Sequence, residues 1–213
     1  MIRLITSYYT DSDVERQKEI DFCLEKNINN NFIDEILILN ETDSLPLKSK
    51  KIKEFKFSRP KFSDFFKIIN SLTKEDDINI LTNTDIFFNN SLSQINNLNL
   101  KNRVISLLRW EYNGGNPVIP IKRGDCQDSW IWLGEIRSLE NSDFYLGKLG
   151  CDNRIAWEIK NAGYSLTNDC NLIQSVHVHE TKKRNYKQTF VGTKEHEENK
   201  EVVPPPYFYV YPE

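Results

Sequence analysis

The run Ile78-Asn79-Ile80-Leu81-Thr82-Asn83-Thr84-Asp85-Ile86-Phe87-Phe88-Asn89 decides how this chain is read. An apolar segment of strand length delivers a single carboxylate at its end, and a second apolar segment follows at once. Open α/β sheets receive their ligands at the carboxyl ends of the strands. Asp85 is therefore placed to hold a cation and the phosphates attached to it. The competing reading is an Asx-turn, in which Asp85 satisfies only nearby backbone amides.

Upstream of this run, Ile2-Arg3-Leu4-Ile5-Thr6 reads as a short apolar strand and Tyr8 to Ser12 as a polar loop. A helix follows, with Asp11 or Ser12 as its cap and Ile20, Cys23 and Leu24 on one face. Ile33 to Leu39 reads as the next strand and Ser44 to Lys53 as a polar connection, with a short strand before the following helix. Arg59-Pro60 precedes that helix, whose Phe62, Phe65, Phe66, Ile69 and Leu72 form an i, i+3, i+4, i+7 stripe. This βα alternation predicts a mostly parallel central sheet flanked by helices, a Rossmann-like α/β domain. Residues 1–100 read as its nucleotide-binding half.

The second half is less regular. Arg103 to Leu108 reads as a strand, Asn113 to Pro117 as a turn-rich loop and Val118 to Ile121 as a further strand. Cys126 to Trp132 places Asp128 beside Trp130 and Trp132. Gly147 to Asn153 leads into a helix, with Asp152 at the N-cap position, Ile155, Ala156 and Ile159 on a buried face and Gly163 at the C-cap. Tyr164 to Thr167 and Ile173 to His179 read as extended segments. Residues 101–186 complete the domain as an acceptor half, and 187–213, polar and then Pro-rich, read as a tail or a linker to further domains.

Composition excludes several classes. The 213 residues carry 28 basic and 31 acidic side chains, a formal charge of -3, so no concentrated field invites nucleic acid. The first nine residues are too short and polar for a signal peptide, and no run approaches the roughly 20 apolar residues of a membrane span. A cytoplasmic protein is expected, in a bacterium or in the host cell of a virus. Cys23, Cys126, Cys151 and Cys170 show no metal-ligand spacing and read as reduced structural thiols. The Asn-rich tracts Asn27 to Asn31 and Ser93 to Asn102 read as nucleotide bias in the genome, without chemistry of their own.

Thr84-Asp85, Arg109-Trp110, Gln127-Asp128-Ser129-Trp130, Leu146-Gly147 through Ala156, Gly163-Tyr164 and His177-Val178-His179 together resemble a GT-A glycosyltransferase domain over residues 1–186. The resemblance is to the small sugar-nucleotide-dependent type found in bacterial polysaccharide assembly and in large algal viruses. It implies transfer of a hexose from a UDP-sugar, UDP-glucose or UDP-rhamnose, to a glycan or glycoprotein acceptor. The family's Asp-x-Asp signature stands here as Asn83-Thr84-Asp85. Asp85 keeps the metal-binding carboxylate, for Mn²⁺ or Mg²⁺, while Asn83 has only an amide to offer the ribose.

The resemblance also assigns roles. His177 or His179 completes the metal shell, and imidazole favours Mn²⁺. The loop Thr6-Ser7-Tyr8-Tyr9 receives base and ribose, with Tyr8 or Tyr9 stacking on uracil. Arg109 and Trp110 lie beneath the donor sugar; from its strand-to-helix position Arg59 reads as a phosphate fork or a surface arginine, and the run Lys182, Lys183 and Arg184 reads as a contact to the diphosphate or a solvated face. Asp152 and Asp128 are the rival general bases, and Trp130 offers a flat ring for a pyranose. Two other classes stay open, a nucleotidyltransferase or phosphohydrolase and a catalytically silent sugar-binding module.

Overall fold

Alternation along the strands explains why helices cover both faces of one sheet. The computed structural model describes residues 1–112, 114–118, 123–181 and 202–212. The first strands are β1 (Ile2–Tyr8), β2 (Glu35–Asn40), β3 (Ile52–Lys56) and β4 (Ile78–Thr82). Successive side chains of a strand leave on opposite faces, and in β1, β2 and β4 both sets are apolar. Leu4, Ile36, Ile38 and Ile80 join Ile20 and Leu24 of helix α1 (Val14–Asn29) in one cluster. Ile5, Leu37, Leu39 and Leu81 join Phe62, Phe65, Phe66 and Ile69 of helix α2 (Phe62–Asn70) in the other. Continuous apolar strands belong to sheets buried on both sides. Each fully buried side chain contributes roughly 1.5–3 kcal/mol.

The remaining elements are β5 (Ile86–Phe88), β6 (Arg103–Tyr112), β7 (Gln127–Leu133), α3 (Cys151–Asn161), β8 (Ser165–Thr167) and β9 (Ser175–Val178). The sheet order is β3-β2-β1-β4-β7-β6-β9-β5, with β8 beside β6. The first four strands are mutually parallel. β7 is antiparallel to both β4 and β6, and β5 is antiparallel to β9. The result is a single α/β domain with a mostly parallel sheet. No described helix is long and apolar enough to cross a membrane.

β6 serves two neighbours in turn. Arg103 to Ile105 pair with β8, Arg109 to Tyr112 pair with β9, and the register against β7 shifts between Leu107 and Leu108. Such an irregularity bends and twists a strand and re-aims the side chains beyond it. The expected strand at Arg103 to Leu108 thus continues to Tyr112, and Arg109 and Trp110 are strand residues. Val118 forms a bridge with Glu111, and the rest of the strand expected at Val118 to Ile121 lies outside the described residues.

Several local expectations need correction. The cap of α1 is Asp13, whose carboxylate accepts from Glu15 N and Arg16 N, while Asp11 accepts from Asp13 N one step earlier. The cap of α3 is Gly150 at φ 82°, not Asp152, which lies within the first turn. A Cβ at Gly150 would stand 2.9 Å from Tyr207 Oη and 3.0 Å from Val203 O, so a side chain is excluded twice over. Trp130 is not a sugar platform. It is 1% exposed, edge-on to Phe62 at 5.3 Å, because β7 is an interior strand covered by α2.

The Asn-rich tract also has chemistry. Asn27 Nδ2 donates to Ile86 O at 2.8 Å and its Oδ1 accepts from Phe88 N at 3.0 Å, while Asn30 Nδ2 donates to Phe88 O at 2.9 Å. Asn27 of α1 and Asn30 at its C-cap thereby satisfy the outer edge of β5, the strand that follows Asp85. At the chain's far end, residues 202–212 return to the domain. Val203 and Val210 are buried, and Val210 O accepts from Gln127 Nε2 and Asn168 Nδ2.

Candidate functional site

Asp85 stands in the turn between β4 and β5, 9% exposed, and its carboxylate faces side chains. Oδ2 accepts from Arg16 Nη2 of α1 and lies 3.2 Å from His177 Nε2 of β9. The contacts of the side chain are ionic, which sets aside a purely Asx-turn role. In register, His177 lies opposite Ile86 of β5 on one side and Glu111 of β6 on the other. Its Nδ1 is 2.8 Å from Glu111 Oε2. Both ring nitrogens thus face carboxylates.

The chain of alternating charge continues. Glu111 Oε1 accepts from Arg109 Nε at 2.8 Å, and Arg109 Nη1 donates to Asp128 Oδ2 at 3.0 Å. Asp128 Oδ1 accepts from Asn83 Nδ2 at 2.6 Å, which returns the chain to the Asn83-Thr84-Asp85 turn. On the other flank Arg16 Nη1 donates to Glu19 Oε2 at 2.7 Å and to Val178 O at 3.1 Å. One connected network therefore runs from α1 through β9 and β6 to β7.

Burial and neighbours divide the ionisable groups. Burial opposes the charged form of His177, but Asp85 and Glu111 outweigh it and carry its pKa up to about 9. Burial likewise opposes ionisation of Glu111, and His177 and Arg109 reverse that, holding it at about 2. Asp85 is held well below the usual carboxylate range because His177 and Arg16 overcome its desolvation. Asp152 goes the other way. Burial and the nearby charge of Asp128 push its carboxyl well above the usual range, against a hydrogen bond from Cys151 Sγ at 3.1 Å and the charge of Arg109.

Asp85, His177 and His179 each offer a ligand atom, and these atoms all lie within 4.8 Å of one another. The imidazoles come 5.3 Å apart because His177 and His179 project to the same side of an extended segment. One carboxylate and two imidazoles form a donor set that fits a divalent cation. Glu111 stands behind His177 Nδ1, in the position from which a carboxylate orients an imidazole that serves a cation.

The other expected site residues fall into two groups. Ser7 Oγ meets Thr84 Oγ1 at 3.0 Å, which ties the end of β1 to the Asp85 turn, and Thr6 is buried beside it. Tyr9 lies against Arg16 and Asp85; burial and the charge of Asp85 raise the pKa of its hydroxyl against the opposing charge of Arg16. Tyr8 does not face a ligand. It is 4% exposed and its hydroxyl donates to Asp21 of α1 at 2.5 Å, because alternation turns it into the core. Trp110 is half-buried, with Nε1 donating to Cys170 O at 2.9 Å. Arg59 is exposed on the loop before α2, its guanidinium 4.6 Å over the Tyr145 ring, apart from the ionic network. Lys182, Lys183 and Arg184 lie outside the described residues.

Sequence reasoning missed Arg16, Glu19 and Glu111. Arg16 and Glu19 share the apolar stripe of α1 with Ile20, Cys23 and Asn27, and both are buried. Charges inside a buried stripe were the available signal. Glu111 follows Arg109 by two residues on an extended segment, so the two share a face.

No family model matches the sequence, and no curated protein is significantly similar to it. Solved structures are similar in fold. A mannosyltransferase from Pyrobaculum calidifontis, in complex with GDP-mannose and Mn²⁺, superimposes with a TM-score of 0.55 at 14% identity over 87% of this chain and 58% of that one. The fold is GT-A-like. Likenesses with lower scores include a 2-C-methyl-D-erythritol 4-phosphate cytidylyltransferase from Francisella tularensis, with a TM-score of 0.43, 16% identity, and coverage of 62% of this chain and 72% of that one. S. aureus TarS gives 0.42 at 11% identity over 85% of this chain and 58% of that one. The chain spans a little over half the length of the mannosyltransferase, and at these identities the likeness concerns the fold alone.

Proposed function

We propose that this chain is a metal-dependent glycosyltransferase that moves a hexose, glucose or rhamnose, from a UDP-sugar to a glycan acceptor. The observation that carries this reading is the cluster of Asp85, His177 and His179 beyond the carboxyl end of β4 in a GT-A-like sheet. The two imidazoles favour Mn²⁺ over Mg²⁺, which prefers oxygen alone. When bound, the cation neutralises the departing diphosphate as a Lewis acid.

This chain's residues supply the rest. Ser7 and Tyr9 receive the base and ribose beside the Asp85 turn. Asn83 Nδ2 is committed to Asp128, so its Oδ1, buried and without a hydrogen-bond partner among the described residues, is what remains to accept from a ribose hydroxyl. Arg109 sits under the donor sugar. Asp152 is favoured over Asp128 as the base. Both oxygens of Asp128 already accept hydrogen bonds, from Asn83 and Arg109, whereas the carboxylate of Asp152 is bonded at one oxygen only, by Cys151 Sγ. As the acceptor oxygen bonds to the anomeric carbon, its proton passes to Asp152, and the bond to the diphosphate breaks with its electron pair leaving on UDP.

Calorimetric titration of UDP, with GDP in parallel, into wild type and Asp85→Asn tests this reading, each with Mn²⁺ and then with EDTA. The expected result is wild-type binding strengthened by metal, with the increment lost in the folded variant. Equal binding with and without metal in both proteins, or none in either, would sink it.

A further inference from the structure

Arg16 has more partners than an ordinary helix residue. Its guanidinium reaches three elements at once: Asp85 Oδ2 in the turn after β4, Val178 O at 3.1 Å in β9, and Glu19 Oε2 at 2.7 Å on its own helix. Val178 lies between the two histidines, so Arg16 grips the backbone that spaces them. Glu19 extends the grip. Its Oε1 accepts from Thr181 N at 2.8 Å and its Oε2 lies 3.3 Å from Thr181 Oγ1, two residues beyond His179. Arg16 is 9% exposed and Glu19 7%, and burying such a pair costs solvation that a hydrophobic pair would not.

We propose that Arg16 and Glu19 are positioning residues that clamp Asp85, His177 and His179 into one cation site. This rests on the metal-dependent reading above. A guanidinium is suited to the task because its planar fork addresses several acceptors in fixed directions, which an ammonium cannot do. Glu19 balances its charge, so the clamp leaves the negative charge of Asp85 available to the cation. Such a clamp acts before any substrate binds. Its contribution is to hold β9 and the turn after β4 in register around a point neither encloses alone.

The test is Mn²⁺ binding to the full chain, followed by the electron paramagnetic resonance of free Mn²⁺, in wild type, Arg16→Met, Arg16→Lys and Glu19→Gln. Circular dichroism melts establish which variants are folded. The expected result is Mn²⁺ affinity roughly 10–100-fold weaker for Arg16→Met, the range found for residues that orient metal ligands, with a smaller loss for Arg16→Lys. UDP affinity measured in EDTA stays at the wild-type value. If Arg16→Met does not fold, the isosteric Glu19→Gln carries the test, with weaker Mn²⁺ binding expected. Folded variants that bind Mn²⁺ as wild type does would reduce the pair to helix packing, and tighter binding would make Arg16 a competitor of the cation; either overturns the clamp alone. A wild type that binds no Mn²⁺ overturns the metal-dependent reading and the clamp with it.

Discussion

Asp85 and Asp152 are both largely enclosed carboxylates on the same domain, yet their surroundings drive them in opposite directions. Asp85 meets a guanidinium and an imidazole, and its charge is held far below the usual titration range. Asp152 is desolvated and lies in the field of another carboxylate, and its pKa is raised despite the hydrogen bond from Cys151 Sγ. Opposite shifts on two carboxyls are the pattern expected where one holds charge and the other exchanges a proton, as proposed for Asp85 and Asp152. Arg109 lies between them, bonded to Glu111 on the Asp85 side and to Asp128 on the Asp152 side.

The contrast breaks most readily at Asp152. Asp152→Asn should lower transferase turnover by 10²–10⁴-fold, the usual weight of a general base, measured with donor and acceptor at saturation. It should also stabilise the protein. The folded state holds a proton that the unfolded chain releases near 3.8, so wild-type stability declines as pH rises from there through the raised folded value. The amide abolishes that decline. Melts of Asp152→Asn should therefore exceed wild type at neutral pH and converge with it below about pH 4.

A smaller effect is expected behind His177. Glu111→Gln keeps a hydrogen-bonding group beside Nδ1 but removes the charge, and Mn²⁺ affinity, read by paramagnetic resonance, should fall about tenfold, the low end for such outer partners. An unchanged affinity would mean that Glu111 serves Arg109 alone. The smallest effect sharpens the other side of the contrast. Asn83→Asp creates an acidic pair with Asp85 but sets a carboxylate where an amide now donates to Asp128 at 2.6 Å. Stability should drop by about 1 kcal/mol in chemical denaturation, the scale of one lost hydrogen bond. The acid limb of the rate profile should move to higher pH. A stable Asn83→Asp variant with an unmoved limb would show that Asp128 does not tune Asp152.

The physics behind Asn83 also shows what could be read in the sequence and what could not. The apolar runs around Ile5, Leu37 and Leu81 and the Phe62 to Ile69 stripe announce a sheet covered on both faces, because burial is written in period 2 and period 3.6. Asp85, His177 and His179 were legible as residue types at telling positions. Their convergence was not, since His177 lies 92 residues from Asp85 and meets it only through the β5–β9 pairing. Tyr8 and Trp130 were misplaced because a polar tip or a flat ring suggests a ligand until strand register turns the side chain inward. The bend of β6 hid in the same way. Nothing in Leu107-Leu108 marks the register shift that brings Glu111 to His177.

The two outermost strands are closed by different means. β3 carries Lys53, Glu54 and Lys56 along an exposed border, and a stranger approaching it must desolvate those charges. β5 is short and apolar, the kind of border on which another chain's strand can grow. There Asn27 imitates a neighbouring peptide, one amide giving and taking as a backbone unit would, and Asn30 occupies the next carbonyl. The sheet is full at that side without another strand. A tract that looks like compositional noise thus acts as a stopper against templated self-association along the strand that begins one residue after Asp85.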